Sequence, residues 1–263
     1  MNLPEYEWVR FRKSPLRQVI AQMRFTIMPR FEKDGFIADF QEAIRDDYPK
    51  LHREPIVTYQ LTSTGVSSGT GDTAWRLSSK DLHWAVIVSE AALTLETRSY
   101  YAMNDFVERF QRLLEAAQEK LGVADRLRLG LRYVNEIRYP GAKTLQDWQE
   151  LLNPELVGVD AANLLAGEIN HTLQEIQVKR PDGTFAIRHG LLKGTVVPPL
   201  PNEPSVGGRF YLVDLDYYDT DEYDLDIPDV VSKMWDYNDV MTRFFRWALS
   251  EKLYTYLEPD NAS

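Results

Sequence analysis

Two stretches alternate apolar and polar side chains so regularly that each reads as a strand with one buried face. In Leu16–Phe25, the residues Val19, Ala21, Met23 and Phe25 fall on one side, while Gln18, Ile20, Gln22 and Arg24 fall on the other. In Arg126–Tyr139, the residues Leu127, Leu129, Leu131, Tyr133, Asn135 and Ile137 share a side. A repeat of two is the mark of the pleated strand. The same order of elements follows each strand: a short helix, several antiparallel strands, and a long amphipathic helix. The helix expected over Gly35–Asp47 is apolar at Phe36, Ile37, Phe40, Ala43 and Ile44, and Tyr48-Pro49 ends it. The helix expected over Tyr101–Gly122 carries Phe106, Phe110, Leu113, Leu114, Ala117 and Leu121 as one stripe, with Gly122 suited to the C-terminal cap.

The order then restarts. Thr144 and Asp147 form a weak capping box opening a helix, strands are expected over Glu168–Lys179, Thr184–Leu192 and Arg209–Tyr217, and Asp182-Gly183 is a hairpin turn. In the first half, Gly65–Gly71 reads as a turn between strands at Ile56–Ser63 and Thr73–Ser78. The closing helix is apolar from Val230 to Leu253, with an interruption at Asp236–Asp239. The chain therefore divides into an N-terminal arm, 1–14, a first α+β repeat, 15–125, and a second, 126–263, joined in one continuous fold. The expected class is α+β, an internally duplicated strand–helix–antiparallel strands–long helix unit. That topology resembles the saddle of the TATA-binding protein and is close to helix-grip folds, a likeness of fold that implies no activity by itself.

Composition narrows the function classes. Cysteine is absent, which removes disulfides, thiolate metal sites and cysteine nucleophiles. No run of about 18 apolar residues and no signal-peptide pattern occurs, so a soluble, cytoplasmic protein without membrane contact is expected. The formal net charge is −10, and it is segregated. Between Trp8 and Pro29 stand Arg10, Arg12, Lys13, Arg17 and Arg24 with no acid, whereas Arg209–Asp229 is dominated by acids. Such segregation suits either internal pairing or separate surfaces for unlike partners.

Two segments carry a family resemblance. Pro15-Leu16…Val19…Arg24-Phe25 fits a PLxxVxxxxRF pattern, and Gly130-Leu-Arg-Tyr133-Val-Asn135-Glu-Ile137 fits GLRYxNxI. The chain thus resembles a sporadically distributed family of uncharacterised bacterial proteins, over nearly its whole length. The resemblance implies a fold length and no catalytic residues. Sporadic distribution suits an accessory role, such as a defence or toxin–antitoxin component.

Several motifs have residue types and spacings that bear on chemistry. Gly65-Val-Ser-Ser-Gly69 matches the nucleophile-elbow spacing, but a hairpin return rather than a helix is expected after it. Asp214 and Asp216 point to one side of a strand and could offer oxygens to a hard cation; a solvated acidic loop ahead of a helix is the plainer reading. Glu175-x-Gln177-x-Lys179 resembles a nuclease arm only loosely. No GxGxxG, GxxxxGK[ST] or HExxH motif occurs, so no cofactor is implied. Arg24 on the first strand, with Arg126, Arg128, Arg132 and Arg138 on its counterpart, could track a phosphate backbone or pair with the protein's own acids.

The expectation is a non-enzymatic binding or interaction module that recognises a protein or nucleic-acid partner through Arg24, Arg128, Arg132 and Asn135, the last sharing the leucine face. Homo-oligomers are compatible with it. The alternatives are a metal-dependent enzyme using Asp214 and Asp216, and a small apolar ligand held between sheet and long helix.

Overall fold

A computed structural model describes residues 2–33, 35–62, 65–158, 166–204 and 206–260; the side chains of 56–62 and 65–72 lie outside that description. The first half runs β1 (Arg10–Phe11), β2 (Leu16–Arg24), α1 (Ala38–Ile44), β3 (Lys50–Thr62), β4 (Gly65–Ser78), β5 (Trp84–Ser89), β6 (Ala92–Thr97) and α2 (Met103–Ala116). The second runs β7 (Asp125–Arg126), β8 (Arg128–Ile137), α3 (Leu145–Leu151), α4 (Pro154–Val157), β9 (Gln174–Arg180), β10 (Gly183–Lys193), β11 (Arg209–Asp219), β12 (Tyr223–Asp224), α5 (Ile227–Ala248), α6 (Glu251–Tyr256) and β13 (Pro259–Asp260).

Nine strands form one antiparallel sheet in the order β3-β4-β5-β6-β2-β8-β11-β10-β9. The expected α+β class is the one observed. Outward from the β2–β8 seam, each half lays down its first strand, then its last, then the earlier ones. The order is near-symmetric about that seam, with one strand more on the side of the first half. Two short pairs lie outside the sheet, β1 with β13 and β7 with β12. Among the described residues, no helix is long and apolar enough to cross a membrane.

The helices lie on one face of the sheet. Val19, Ala21 and Met23 of β2 and Leu129, Leu131 and Ile137 of β8 are fully buried beneath them, with Phe106, Phe110 and Leu114 of α2 and Met234, Tyr237 and Met241 of α5. Each Val, Leu, Ile, Phe or Met among them contributes about 1.5–3 kcal/mol by leaving water. The opposite face is open except where the segment 194–208 covers Val134, Phe210 and Leu212 with Val196 and Val197. Glu136 holds that segment down. It accepts hydrogen bonds from Thr195 Oγ1 at 2.6 Å and from the amides of Val196 and Val197 at 2.7 and 3.1 Å.

Local signals explain most boundaries. Gly122 takes a left-handed φ of 74° after one π-helical turn, Ala117–Leu121, that prolongs α2. Thr144 and Asp147 form the full capping box at the start of α3. Asp226 caps α5, whose Pro228 lies in its first turn, where the missing N–H costs no helical bond.

Several expectations are corrected. The glycine-rich stretch Gly65–Gly71 is not a turn but part of β4, paired with β3, so no helix follows the GxSxG spacing; the side chains there lie outside the described residues. The last helix is not interrupted at Asp236–Asp239: Asp236 and Asp239 are exposed and Asn238 turns inward, so all are carried within α5. It breaks instead at Leu249, where Ser250 caps α6. The hairpin turn falls on Pro181-Asp182, one residue early. Gly183 opens β10 at φ 146°, and a Cβ there would meet the Tyr218 carbonyl oxygen at 2.5 Å.

Candidate functional site

The open sheet face carries the arginines of the two central strands. Arg24 of β2 stands directly opposite Arg128 of β8, and Arg132 stands opposite Ile20 on one side and Asp216 on the other. A groove of about 450 Å³ runs between them, lined also by Gln22, Ile87 and Thr94. Arg24, Arg128 and Arg132 therefore share one surface.

Most of that charge is already engaged. Arg132 clamps the buried Asp214 with two hydrogen bonds of 2.7 Å, Nε to Oδ1 and Nη2 to Oδ2. Arg188 reaches the same carboxylate at 3.6 Å. Arg128 lies 3.7 Å from Asp216, donates to Gln22 Oε1 at 3.3 Å, and stacks on the Tyr218 ring at 4.6 Å. Arg76 sits between Glu54 and Glu96, at 2.5 and 2.7 Å. Burial works against the Arg132 charge, yet Asp214 beside it raises its pKa. Burial pushes the Asp216 carboxyl up, against the pull of Arg128 and Arg132. Among the described residues, Arg24 is the member of this set with no hydrogen-bond or ion-pair partner.

The two acids weighed as metal ligands, Asp214 and Asp216, are thus covered by guanidinium groups. Four oxygens facing three cations offer little to a divalent ion. No group of three or more His, Asp or Glu side chains is arranged to hold a metal among the described residues. The Glu175-x-Gln177-x-Lys179 strand is exposed, and Glu175 pairs with Arg188 at 3.3 Å.

Arg126 is placed differently from expectation, and Asn135, on the leucine face as expected, is parted from the arginines it was grouped with. Arg126 does not lie with the other arginines. It sits in the short β7–β12 ribbon, buried on the helix side, 3.1 Å from Asp219, which also accepts from Tyr237 Oη at 2.7 Å. The chain breaks from β7 to β8 at Leu127, and the alternation does not carry through that break. Asn135 lies on the helix face, as its place among the leucines requires, so it does not join the arginines.

Asn135 instead belongs to a cleft of about 660 Å³ on the helix side, bounded by the N-terminal arm, the start of α2 and the exposed flank of α5. The cleft opens where β2 and β8 slip register between Leu16 and Gln18, with Leu16 opposite Asn135. Its floor is polar. Tyr133 Oη donates to Asn238 Oδ1 at 2.8 Å and lies 3.3 Å from Tyr100 Oη. Asn135 Nδ2 donates to the Val213 carbonyl at 3.0 Å. Among the described residues, Asn135 Oδ1 and Asn238 Nδ2 have no partner, although Asn135 is 4% exposed and Asn238 8%. Burial pushes Tyr100 up to about 12 and Tyr133 well above its usual value, so both hydroxyls stay protonated at neutral pH.

The walls are aromatic. Trp8, Tyr101 and Trp235 line the cleft and are 50%, 59% and 40% exposed. The arm is tied across by Arg246, whose guanidinium stacks on Tyr6 at 5.2 Å, and by Arg243, 3.6 Å from Glu5.

The sequence allowed a ligand between sheet and long helix and named Asn135, but it did not point to the N-terminal arm or to Asn238 as parts of such a cleft. One signal was present: Asn238 lies at the spacing of Met234, Met241 and Phe245, a carboxamide inside an apolar stripe. A polar side chain there must find a partner or face a cavity. The arm's part in the cleft has no local signature, because its position depends on β13, almost the whole chain away.

In class, the molecule is an α+β protein with a single antiparallel sheet, helices on one face, and a mixed polar–aromatic cleft under its N-terminal arm. No protein-family model matches the chain, and comparison with curated proteins returns no match.

Proposed function

We propose that this chain is a binding module that holds a small molecule in the cleft between sheet and helices, and that it is not an enzyme. The observation that carries the reading is the pair of buried carboxamides, Asn135 and Asn238, with unused hydrogen-bonding atoms at the floor of an aromatic-walled cleft. Clefts that take small ligands commonly measure about 300–1,000 Å³ and combine apolar walls with a few convergent polar groups. Both free atoms open onto the cleft, since neither is among the fully buried unpaired atoms, so a ligand that covers them must supply partners or lose about 1–3 kcal/mol for each. The two tyrosines on the floor keep their protons at neutral pH, which suits them to hydrogen bonding rather than proton transfer.

Native mass spectrometry of the purified chain, compared with the denatured chain, tests this reading. The expected result is an adduct, or a compound from a small-molecule panel that raises Tm, whose binding is lost in Trp235→Ala and kept in Arg24→Ala. A chain with no adduct and no stabilising compound sinks it.

The open sheet face supports a second reading, an interaction surface for a protein partner carrying an acidic side chain. What favours it is Arg24, exposed beside Arg128 with no carboxylate of its own. A nucleic-acid partner is less well supported, since the neighbouring arginines are already neutralised and the chain carries a net charge of −10. A photoreactive residue at position 24 should crosslink to one discrete partner in cells; a crosslink unchanged at high salt would argue against a charged contact.

A further inference from the structure

The geometry points to a nucleotide as the class of ligand the cleft takes, an inference that rests on the binding reading above. Three features that such a ligand needs lie in one place. The first is a flat apolar surface. Trp8, Tyr101 and Trp235 are three of the seven large hydrophobic side chains that stand exposed among the described residues, and all three border this cleft. Half-exposed rings at an open mouth are stacking platforms, and every base has a π face to lay on them.

The second is an edge reader. A nucleobase presents hydrogen-bond donors and acceptors side by side on one edge, and a carboxamide answers such an edge in kind. Here the acceptor is Asn135 Oδ1 and the donor is Asn238 Nδ2. They belong to different side chains but to one assembly. Tyr133 stands two residues before Asn135 on β8, about 6.6 Å along the strand, and bonds to Asn238 across the floor. Each carboxamide is oriented by its other atom, Asn135 through the Val213 carbonyl and Asn238 through the Tyr133 hydroxyl. A purely apolar ligand such as a fatty acid would leave both free atoms unpaired, so it fits this floor poorly.

The third is a cation to spare at the mouth. Among the arginines lining the cleft, Arg12 pairs with Asp260, Arg243 with Asp239 and Glu5, and Arg246 with Glu251. Arg10 has no carboxylate within ion-pairing distance among the described residues, and its guanidinium lies over the Tyr101 ring at 4.3 Å. Against these cations the lining carries two acids, Glu7 and the already paired Asp239. Counted with the acids that pair with them, Glu5, Asp239, Glu251 and Asp260, the arginines Arg12, Arg243 and Arg246 are neutralised, and Arg10 is the cation at the mouth left without a carboxylate partner. A base inserted edge-first toward Asn135 and Asn238 leaves its phosphate at the mouth, where Arg10 stands ready to donate.

The test uses the full chain. AMP, CMP, GMP and UMP, their four nucleosides and inorganic phosphate are titrated by tryptophan fluorescence and calorimetry, alongside native mass spectrometry of the purified protein. At least one nucleotide is expected to bind at least tenfold more tightly than its nucleoside. In Arg10→Ala that ratio should fall towards one with nucleoside affinity unchanged. In Asn238→Asp, which keeps the acceptor for Tyr133 and removes the donor, nucleoside and nucleotide should weaken together by tenfold or more at similar Tm. Binding of another small molecule in the cleft, with none of the four nucleotides competing, overturns the nucleotide and leaves the binding reading standing. Silence of every probe, with no adduct, overturns both. Equal affinity for phosphate alone, abolished by Arg10→Ala, reduces the site to an anion contact and overturns the base-reading part.

Discussion

Arg132 and Asp214 lie on neighbouring central strands and are joined by two parallel hydrogen bonds of 2.7 Å across the open face of the sheet. Asp214 is almost wholly buried, and Arg132 covers it. The pair fixes how the arginines of β8 must be understood: at this position the charge serves the sheet before it can serve a partner.

Removing Arg132 should therefore act on stability. Loss of one member of a buried pair leaves an uncompensated charge, a cost of about 3–5 kcal/mol. Arg188, 3.6 Å away, offsets part of this, so Arg132→Ala is expected near the low end, about 3 kcal/mol. At this chain length that lowers Tm by roughly 6–12 °C. Adding Asp214→Asn to the same chain should recover much of the loss. Arg24→Ala is the contrast, within about 0.5 kcal/mol of the parent. Equal thermal shifts for Arg24→Ala and Arg132→Ala would refute the assignment.

Glu136 should govern the segment 194–208. Glu136→Ala removes the acceptor for one hydroxyl and two amides and leaves Arg138 without its carboxylate at 3.0 Å. A charge-assisted hydrogen bond contributes about 1.5–3 kcal/mol, so the segment should detach well below the global Tm. Thermolysin digestion at 25 °C should then nick the chain between residues 194 and 208, while the parent resists. An unchanged digestion pattern would show that the apolar contacts of Val196 and Val197 suffice.

His189 should make the fold sensitive to mild acid. Its ring is buried, Nδ1 lies 3.0 Å from Tyr211 Oη, and burial lowers its pKa to about 4. The unfolded chain holds that proton below pH 6.5 while the folded chain refuses it until about pH 4. Stability must then fall as pH drops through this window, by up to about 3 kcal/mol in total, and no further below it. Urea midpoints at pH 7 and pH 4.5 should differ more for the parent than for His189→Gln. Equal differences would mean that His189 takes up its proton in the folded state.

Divalent cations should leave Tm unchanged. Asp214 and Asp216 face Arg132, Arg128 and Arg188, and an ion would have to displace these arginines to reach the oxygens. A rise in Tm with Mg²⁺ or Mn²⁺ that Asp214→Asn abolishes would reinstate the metal-dependent alternative.

The sheet strands and the long helices were legible from periodicity, because one face of each is buried and the repeat of two or 3.6 residues records it. Val19, Ala21 and Met23 are buried as their alternation requires, and Asn135 faces the helices for the same reason. Turns were less legible: Gly65–Gly71 has the composition of a loop and runs in β4 because β3 supplies its backbone partners.

What the sequence determined by itself is the α+β class and the face on which each central side chain stands, since both follow from spacing along one strand or helix. What only the tertiary structure decided is who meets whom across strands. Arg132 with Asp214 is a contact over 82 positions, and Tyr133 with Asn238 one over 105. Such pairs depend on strand order and on helices laid over the sheet, and no local period encodes either. The same holds for the arm: Phe11 meets Pro259 through β1 and β13, and that pairing places Trp8 and Arg10 at the cleft.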